Sequence, residues 1–513
     1  MKNNWQIKPG DKFIRPKRLK VRPLRRVLRT THLFSIAYGD VGSSIYYALG
    51  VVALAAMGAT PLALGIAGIV FVFTALSYAE GTAMFPESGG SASFARHGFN
   101  DFVGFIAGWG LMFGYIVTIS ISSFAIPSYL GYFWAPLKTD PLIMTTFAMG
   151  VVTFLMVINV IGVRESSILN ISLAILDLAT QFLLILLALL FFFNPQIIIE
   201  RIKNYWPAPQ DLMFGIAIAA IAFTGLETIS QMAEETKRPE VRAPRALVIM
   251  TIVVLLVYAG ISVSAFSTMT PTELVRDWST DPIAGIASKL SHGLVPWELA
   301  AKWFTDQAPQ IVFVWILTGI QAMLPVLVAI LAATILLIAT NAGLLGISRL
   351  AFSLSRFKLI PEFMGKVHPK SKTPYISIII FAGIAIMLQS PGFLVPDMYS
   401  NLGGLYAFGS MMAFALAHAS ILALRVKMPD AERPFRLGGN VKIKGHYLPV
   451  TAILGLIGTT AIWIVVVVMQ PYSRWVGFGW VAVGLVIYWY THRHQKLEAG
   501  KVAESANVVP NET

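Results

Sequence analysis

Tyr38-Gly39-Asp40-Val41-Gly42-Ser43-Ser44-Ile45-Tyr46-Tyr47 puts a carboxylate inside an apolar stretch that runs from Leu33 to Met57. A charge at the centre of a membrane helix costs roughly 2.5–3.5 kcal/mol on insertion scales. The neighbouring glycines and serines weaken the helix at the same point. A costly acid at a helix break in lipid is the usual mark of a solute or ion site. Span 6, as numbered below, carries a second such run, Ile221-Ala222-Phe223-Thr224-Gly225-Leu226-Glu227-Thr228-Ile229-Ser230.

The rest of the chain fits that reading. Of its 513 residues, 56% are hydrophobic and 13% charged, with a mean hydropathy of +0.69. A soluble protein could not hide that much apolar surface, so the sequence predicts an all-α, polytopic membrane protein. Segments long enough to span recur at 33–57, 61–84, 102–133, 142–162, 168–193, 212–232, 246–269, 311–345, 374–390, 398–424, 448–469 and 475–491. They are called spans 1 to 12. The first reads as a true span, not a cleavable signal. Spans 3, 5 and 8 look long enough to tilt or to extend beyond the bilayer.

Charge placement sets the orientation. The arm from Lys2 to Arg29 holds about 11 basic residues, the other loops of the same side and the tail about 21, and the opposite loops about 7. The positive-inside rule places both termini in the cytoplasm. The division is then a basic cytoplasmic arm at 1–30, a transporter domain at 31–495 and a polar tail at 496–513. The run Arg15-Pro16-Lys17-Arg18-Leu19-Lys20-Val21-Arg22 rests near anionic lipid or serves as a topology signal alone. The net charge of +13 thus needs no nucleic acid. The long external loop 271–309, with Trp278, Trp297 and Trp303, is expected to lie on the membrane surface.

Matching breaks five spans apart suggest inverted halves, spans 1–5 and 6–10, with spans 11 and 12 peripheral. Two competing readings stand beside the functional one. Asp40 caps the second half of span 1, or Glu227 is paired for stability alone. No Lys or Arg of the membrane segments lies near Glu227 in sequence, and protonation is the cheaper way to keep a buried glutamate neutral. A carboxyl that exchanges a proton is what proton coupling needs. Phe223 gates the pocket or simply packs.

Enzyme readings find no support. The chain has no cysteine, its eight histidines show no zinc spacing, and its glycine runs lack the Lys-Ser/Thr partner of a phosphate loop. No catalytic, metal or cofactor site is expected beyond use of a proton gradient.

At the breaks the chain resembles the amino acid–polyamine–organocation (APC) superfamily of secondary transporters. The resemblance extends over nearly all of residues 30–470. Gly42-Ser43-Ser44-Ile45-Tyr46 stands where amino acid permeases carry a Gly-x-Gly break. Pro86-Glu87-Ser88-Gly89-Gly90-Ser91 follows span 2, and Ala233-Glu234-Glu235-Thr236-Lys237-Arg238-Pro239 follows span 6. Ser348-Arg349-Leu350-Ala351-Phe352-Ser353 follows span 8, and Arg433-Pro434-Phe435-Arg436 precedes span 11. The resemblance implies a LeuT/APC-type 5+5 inverted repeat in a bacterial or archaeal plasma membrane.

A narrower resemblance links Asp40, Ser43, Ser44 and Tyr47 to the KimA-like and KUP potassium importers. It also implies Ser122, Thr224, Glu227 and Tyr406 at the site. Gly114 stands where those importers carry an acid, and its missing side chain is expected to open space for a larger solute.

The expected solute site is therefore Asp40, Gly42, Ser43, Ser44, Tyr47, Ser122, Phe223, Thr224 and Tyr406, with Glu227 as proton carrier. The solute is an amino acid or related organic cation, taken up with protons. Potassium held by Asp40, Tyr47 and Tyr406 is the alternative, and a solute-binding membrane sensor a remote one. Partners are that solute and the bilayer; nothing in the sequence sets an oligomeric state.

Overall fold

The computed structural model describes residues 26–162, 167–293, 310–371, 373–394 and 398–506. The basic run Arg15–Arg22, Trp297, Trp303 and the last residues of the tail lie outside them. Each of the twelve apolar segments falls in a helical stretch. Ten stretches among the described residues are long and apolar enough to cross a membrane. The first, Thr30–Met84, holds spans 1 and 2, separated by a sharp turn at Met57 with φ 43°. Span 12 forms Pro471–Ala506. Span 3 is a helix of 30 residues and span 8 one of 47, both well beyond the ~20 residues a bilayer needs, whereas span 5 has 25. The described sheet is one hairpin, Asn440–Ile443 with His446–Pro449.

Packing follows the inverted repeat. The two breaks face each other, span 2 lies on span 7, span 3 on span 8, and span 4 on span 9. Span 5 packs on spans 1, 7 and 8, and span 10 packs on spans 6, 2 and 3, which are their counterparts. Small residues permit the close crossings. A side chain at Gly346 would strike the Tyr115 ring at 2.6 Å, and one at Gly409 would meet the Gly110 carbonyl at 2.9 Å. Span 3 is the most buried of the ten stretches. Spans 11 and 12 lie outside, leaving Ile457, Val468, Trp475 and Val486 facing outward.

Each face of the bundle is crossed by loop segments that pack on it. On the N-terminal face, Leu28 pairs with Thr236 as an isolated bridge, with Val27 N and Leu28 N donating to the Glu235 carbonyl. Arg349 reaches Glu235 at 3.1 Å and Arg356 reaches Glu234 at 3.5 Å. The loop after span 2 folds back under the bundle, where Glu87 accepts hydrogen bonds from Ser93 and His97. Burial opposes its charge, but His97, Ser93 and Arg96 outweigh it and hold the carboxyl down to about 2. Glu87 is therefore ionised at physiological pH and clamps this loop.

On the far face, the first part of the loop 271–309 forms helices Pro271–Trp278 and Pro282–Gly293. The expectation that it lies on the membrane surface is overturned for these residues. Leu274, Ile283, Ile286, Ala287 and Leu290 are buried in the core of the bundle. Ser279 seats against Gly50 of span 1, where any side chain would collide with the Ser279 carbonyl. Asp281 and Trp278 are fixed by Lys138, at 2.8 Å and 4.5 Å from its ammonium. An apolar helix face buries on protein as readily as on lipid, which is why pattern alone misplaced it.

One buried ion cluster ties span 2 to span 10. Glu80, 1% exposed, takes two bonds from Arg425 at 2.8 and 2.6 Å and one from Leu437 N at 2.8 Å, with Arg433 3.2 Å away. Removing one partner of such a cluster leaves the others buried and uncompensated, at a cost of about 3–5 kcal/mol. Glu80→Ala should therefore lower the thermal unfolding midpoint in detergent clearly; an unchanged midpoint would show that the cluster contributes no net stability.

Candidate functional site

Span 6 is broken outright. Helix Pro209–Ala219 tightens into a 3₁₀ turn at Ala220–Phe223, and the chain restarts as Glu227–Gln231. Between them Thr224 is extended, with ψ 160°, and Gly225 has φ +105°. Only glycine fits there on two counts. That backbone region disfavours side chains, and a Cβ would lie 2.9 Å from the Asp40 Cγ and 3.0 Å from Val41 N. Span 1 bends without unwinding. A 3₁₀ turn at Gly42–Ser44 joins its two helices, and every residue of the turn stays right-handed. The expected symmetry of the breaks is thus partial, because Gly42 sits at φ −67° where span 6 has a positive φ. Gly42 serves contact instead: a Cβ on it would meet the Tyr38 ring at 2.8 Å.

The acids meet at this junction. Thr228 Oγ1 donates to Asp40 Oδ2 at 2.5 Å, while Asp40 Oδ1 is buried with no hydrogen-bond partner. No N–H of the second half of span 1 caps onto Asp40, so the capping reading fails. Glu227 Oε2 accepts from Gly225 N at 3.0 Å and forms no ion pair among the described residues, so pairing for stability fails too. Asp40 and Glu227 are 2% and 1% exposed.

The other expected residues divide. Ser44 and Tyr47 share a hydrogen bond at 2.9 Å, and Ser122 sits beside the Tyr47 hydroxyl with its own Oγ unpartnered. Tyr406 is buried within electrostatic reach of Asp40, Glu227 and Tyr47. Ser43 donates back to the Asp40 carbonyl at 2.7 Å and Thr224 to the Ile221 carbonyl at 2.9 Å, so both hydroxyls support the backbone at the breaks. Phe223 stacks on Phe71 of span 2, centroids 5.2 Å apart, and leans on Tyr258 of span 7 at 4.9 Å. Its ring packs between these spans. Gly114 opens no space, contrary to expectation. A Cβ there would meet Ser410 Oγ at 2.9 Å, so the missing side chain lets span 10 approach span 3.

Sequence reasoning passed over several groups. Tyr78, Tyr115, Ser91, Gln231 and Ser410 all bury side-chain polar atoms without partners. Tyr115 lies within electrostatic reach of Asp40 and Glu227, and Tyr78 within reach of Glu227. Buried polar atoms are normally satisfied, so this set marks a polar lane beside the two acids. Asp177 of span 5 was missed as well. It is 1% exposed and accepts from Tyr46 at 2.5 Å, Tyr38 at 3.0 Å and Gln181 at 2.8 Å. The signal was available, since Asp177 interrupts the apolar run Ala174-Ile175-Leu176-Asp177-Leu178-Ala179 as Asp40 interrupts its own. A separate cleft of about 670 Å³ on the far face is lined by Tyr129, Lys138, Trp278 and Asp281 and by none of these three acids.

Comparison with known proteins agrees with this architecture. The family model described as amino acid permease matches residues 28–491. The chain belongs to that family. It is 27% identical over 498 residues to the branched-chain amino acid permease BcaP of Bacillus subtilis, covering 92% of this chain and 95% of the relative. It is 26% identical to the methylthioribose transporter of the same organism, over 93% of this chain and 96% of the relative. It is 24% identical to the low-affinity putrescine importer PlaP of Escherichia coli, over 86% and 88%. These relatives are transporters, and the chain is a multi-pass membrane transporter, not an enzyme.

The Gly225 contact makes a direct test. Gly225→Ala adds a methyl at a positive φ and against Asp40, so solute uptake should fall by about tenfold or more while the protein still inserts, since strain of this kind costs about 1–3 kcal/mol. Wild-type uptake by Gly225→Ala liposomes would refute the close approach of the two breaks.

Proposed function

We propose that this permease takes up an amino acid or related organic cation together with protons, by alternating access, with its solute held at the junction of spans 1 and 6. The observation that carries the reading is the buried, unpartnered Oδ1 of Asp40 at that junction. Two carboxyl groups meet there, and neither is ion-paired to a Lys or Arg among the described residues. A site of that charge suits an ammonium group, which supplies the missing donors. Two of these relatives favour the same class, since their names specify branched-chain amino acids and putrescine, which carry ammonium groups.

In this mechanism spans 1, 2, 6 and 7 rock against spans 3, 4, 8 and 9. Asp40 holds the ammonium, and the Ser44–Tyr47 pair, Ser122, Tyr115 and Tyr406 line the rest. Glu227 takes up and releases the proton. Its bond from Gly225 N places it on the backbone of the break itself, so a change in its charge acts where span 6 bends. The strap from Leu28 to Thr236 and the hairpin at 271–293 act as the two gates. The basic arm and loops favour a cytoplasmic N-terminal face.

A second reading has one observation behind it. The hydroxyls of Tyr47, Ser44, Ser122 and Tyr406 cluster by Asp40, a set of hard oxygen donors that suits potassium.

Reconstituted liposomes separate the readings. With an inward proton gradient, radiolabelled leucine or putrescine should accumulate and rubidium should not. Rubidium uptake without any organic solute would replace the first reading with the second. Glu227→Gln should abolish gradient-driven accumulation but leave solute exchange; uphill, pH-dependent uptake by that variant would exclude Glu227 as proton carrier.

A further inference from the structure

Asp177 has no place in the mechanism above. It lies on the inward side of span 5, while its neighbours Ile175 and Leu176 face outward. It forms no ion pair among the described residues. Its partners are all neutral: Tyr38 and Tyr46 of span 1 and Gln181 of span 5. Beyond them stand Tyr129 of span 3, edge-on to Tyr46, and Tyr258 of span 7, near Tyr38. Span 8 and the far-face hairpin also pack on span 5, but offer Asp177 no hydrogen bond or charge among the described residues. Three donors hold the carboxyl, and no counter-charge among the described residues accompanies it.

Two features turn this acid into more than a buried anchor. Tyr38 and Tyr46 stand on opposite sides of the Gly42–Ser44 turn, so the one carboxyl grips both halves of span 1. Tyr46 also passes the grip to span 3, because Tyr129 donates to its carbonyl at 2.5 Å. Then there is Gln181. Its Nε2 donates to Asp177, while its Oε1 is buried without a partner. A half-turn of that amide would present Oε1 to accept the O–H of a protonated Asp177, so the pair has a satisfied arrangement for each state. Only the anion accepts every tyrosine and amide bond as charge-assisted bonds, which are about twice as strong as neutral ones.

We propose that Asp177 is a second proton-binding site, distinct from Glu227, whose protonation loosens both halves of span 1 from span 5 and so couples the proton to their tilt. This rests on the alternating-access reading, in which the halves of span 1 must move against spans 3 and 8.

The chain has no cysteine, which gives a clean test. Leu33→Cys places one thiol at a buried position in the first half of span 1. In liposomes, its labelling by a water-soluble maleimide, corrected for the reagent's own pH dependence, should speed up as pH falls. The step should be about tenfold, the loss expected when hydrogen bonds to a charged group weaken. Asp177→Asn in this background should label fast at high pH and lose that step. Tyr46→Phe keeps the acid but removes a donor to the anion, so the step should move to higher pH. An unmoved step in Tyr46→Phe, a full step in Asp177→Asn, or no step in the parent protein would each overturn the proposal. None of these outcomes depends on the Glu227 transport assay, so the two readings fail separately.

Discussion

The hydrogen bond from Thr228 to Asp40, 2.5 Å long, joins the two spans that do not cross the bundle as continuous helices. In hydrocarbon every backbone polar group must be satisfied by the protein, so a span can break only where something else accepts the freed groups. Span 6 meets this demand with Glu227, which takes the Gly225 N–H, and span 1 meets it by bending through a 3₁₀ turn. The acids are costly in lipid; Asp40 is met by Thr228 of the other break, and Glu227 by the Gly225 N–H of its own. From that junction the remaining spans take their places: 2 with 7, 3 with 8, and 5 and 10 as counterparts on either flank.

Chemistry and movement share this junction. In the proposed mechanism, the same backbone that bends as access alternates also positions the two carboxyl groups. Gly225 allows the approach, and Gly42 lets the Tyr38 ring lie over the turn of span 1. Tyr38 then leads outward to Asp177, a third acid that grips span 1 from behind. Three buried carboxyl groups on spans 1, 5 and 6 thus surround the one element that has to tilt. Packing across the two faces is of a different kind. It rests on a backbone bridge with surface ion pairs on the N-terminal face and on a packed helical hairpin at the far face. Partly exposed ion pairs such as these contribute little individually, which suits the gate proposed at this face.

Much of this was legible in the sequence, for physical reasons. Hydropathy fixes spans because lipid leaves no other option, and all twelve apolar segments are largely helical, span 6 with a break at Thr224–Leu226. Asp40 and Glu227 stood out because an acid beside glycine in an apolar run has few structural excuses. Asp177 carried the same charge signal without a glycine or serine beside it, and so passed as part of a continuous span. What failed needed partners. The amphipathic segment after span 7 has an apolar face whose target, lipid or protein, its own pattern cannot name. Gly114 read as space because its sequence neighbours say nothing of Ser410, nearly three hundred residues away in the chain. The difference between a bent span 1 and a broken span 6 lies in the sign of one φ angle, which glycine permits but does not dictate.

The central claim is that Asp40 holds the ammonium of the solute. The most direct measurement is equilibrium binding, to purified wild-type and Asp40→Asn protein, of whichever solute the liposome panel identifies. Removing one side of a buried charged pair costs about 2–5 kcal/mol. The account therefore predicts that affinity for the solute falls by about 30-fold or more. Undiminished affinity in the Asp40→Asn protein would contradict it.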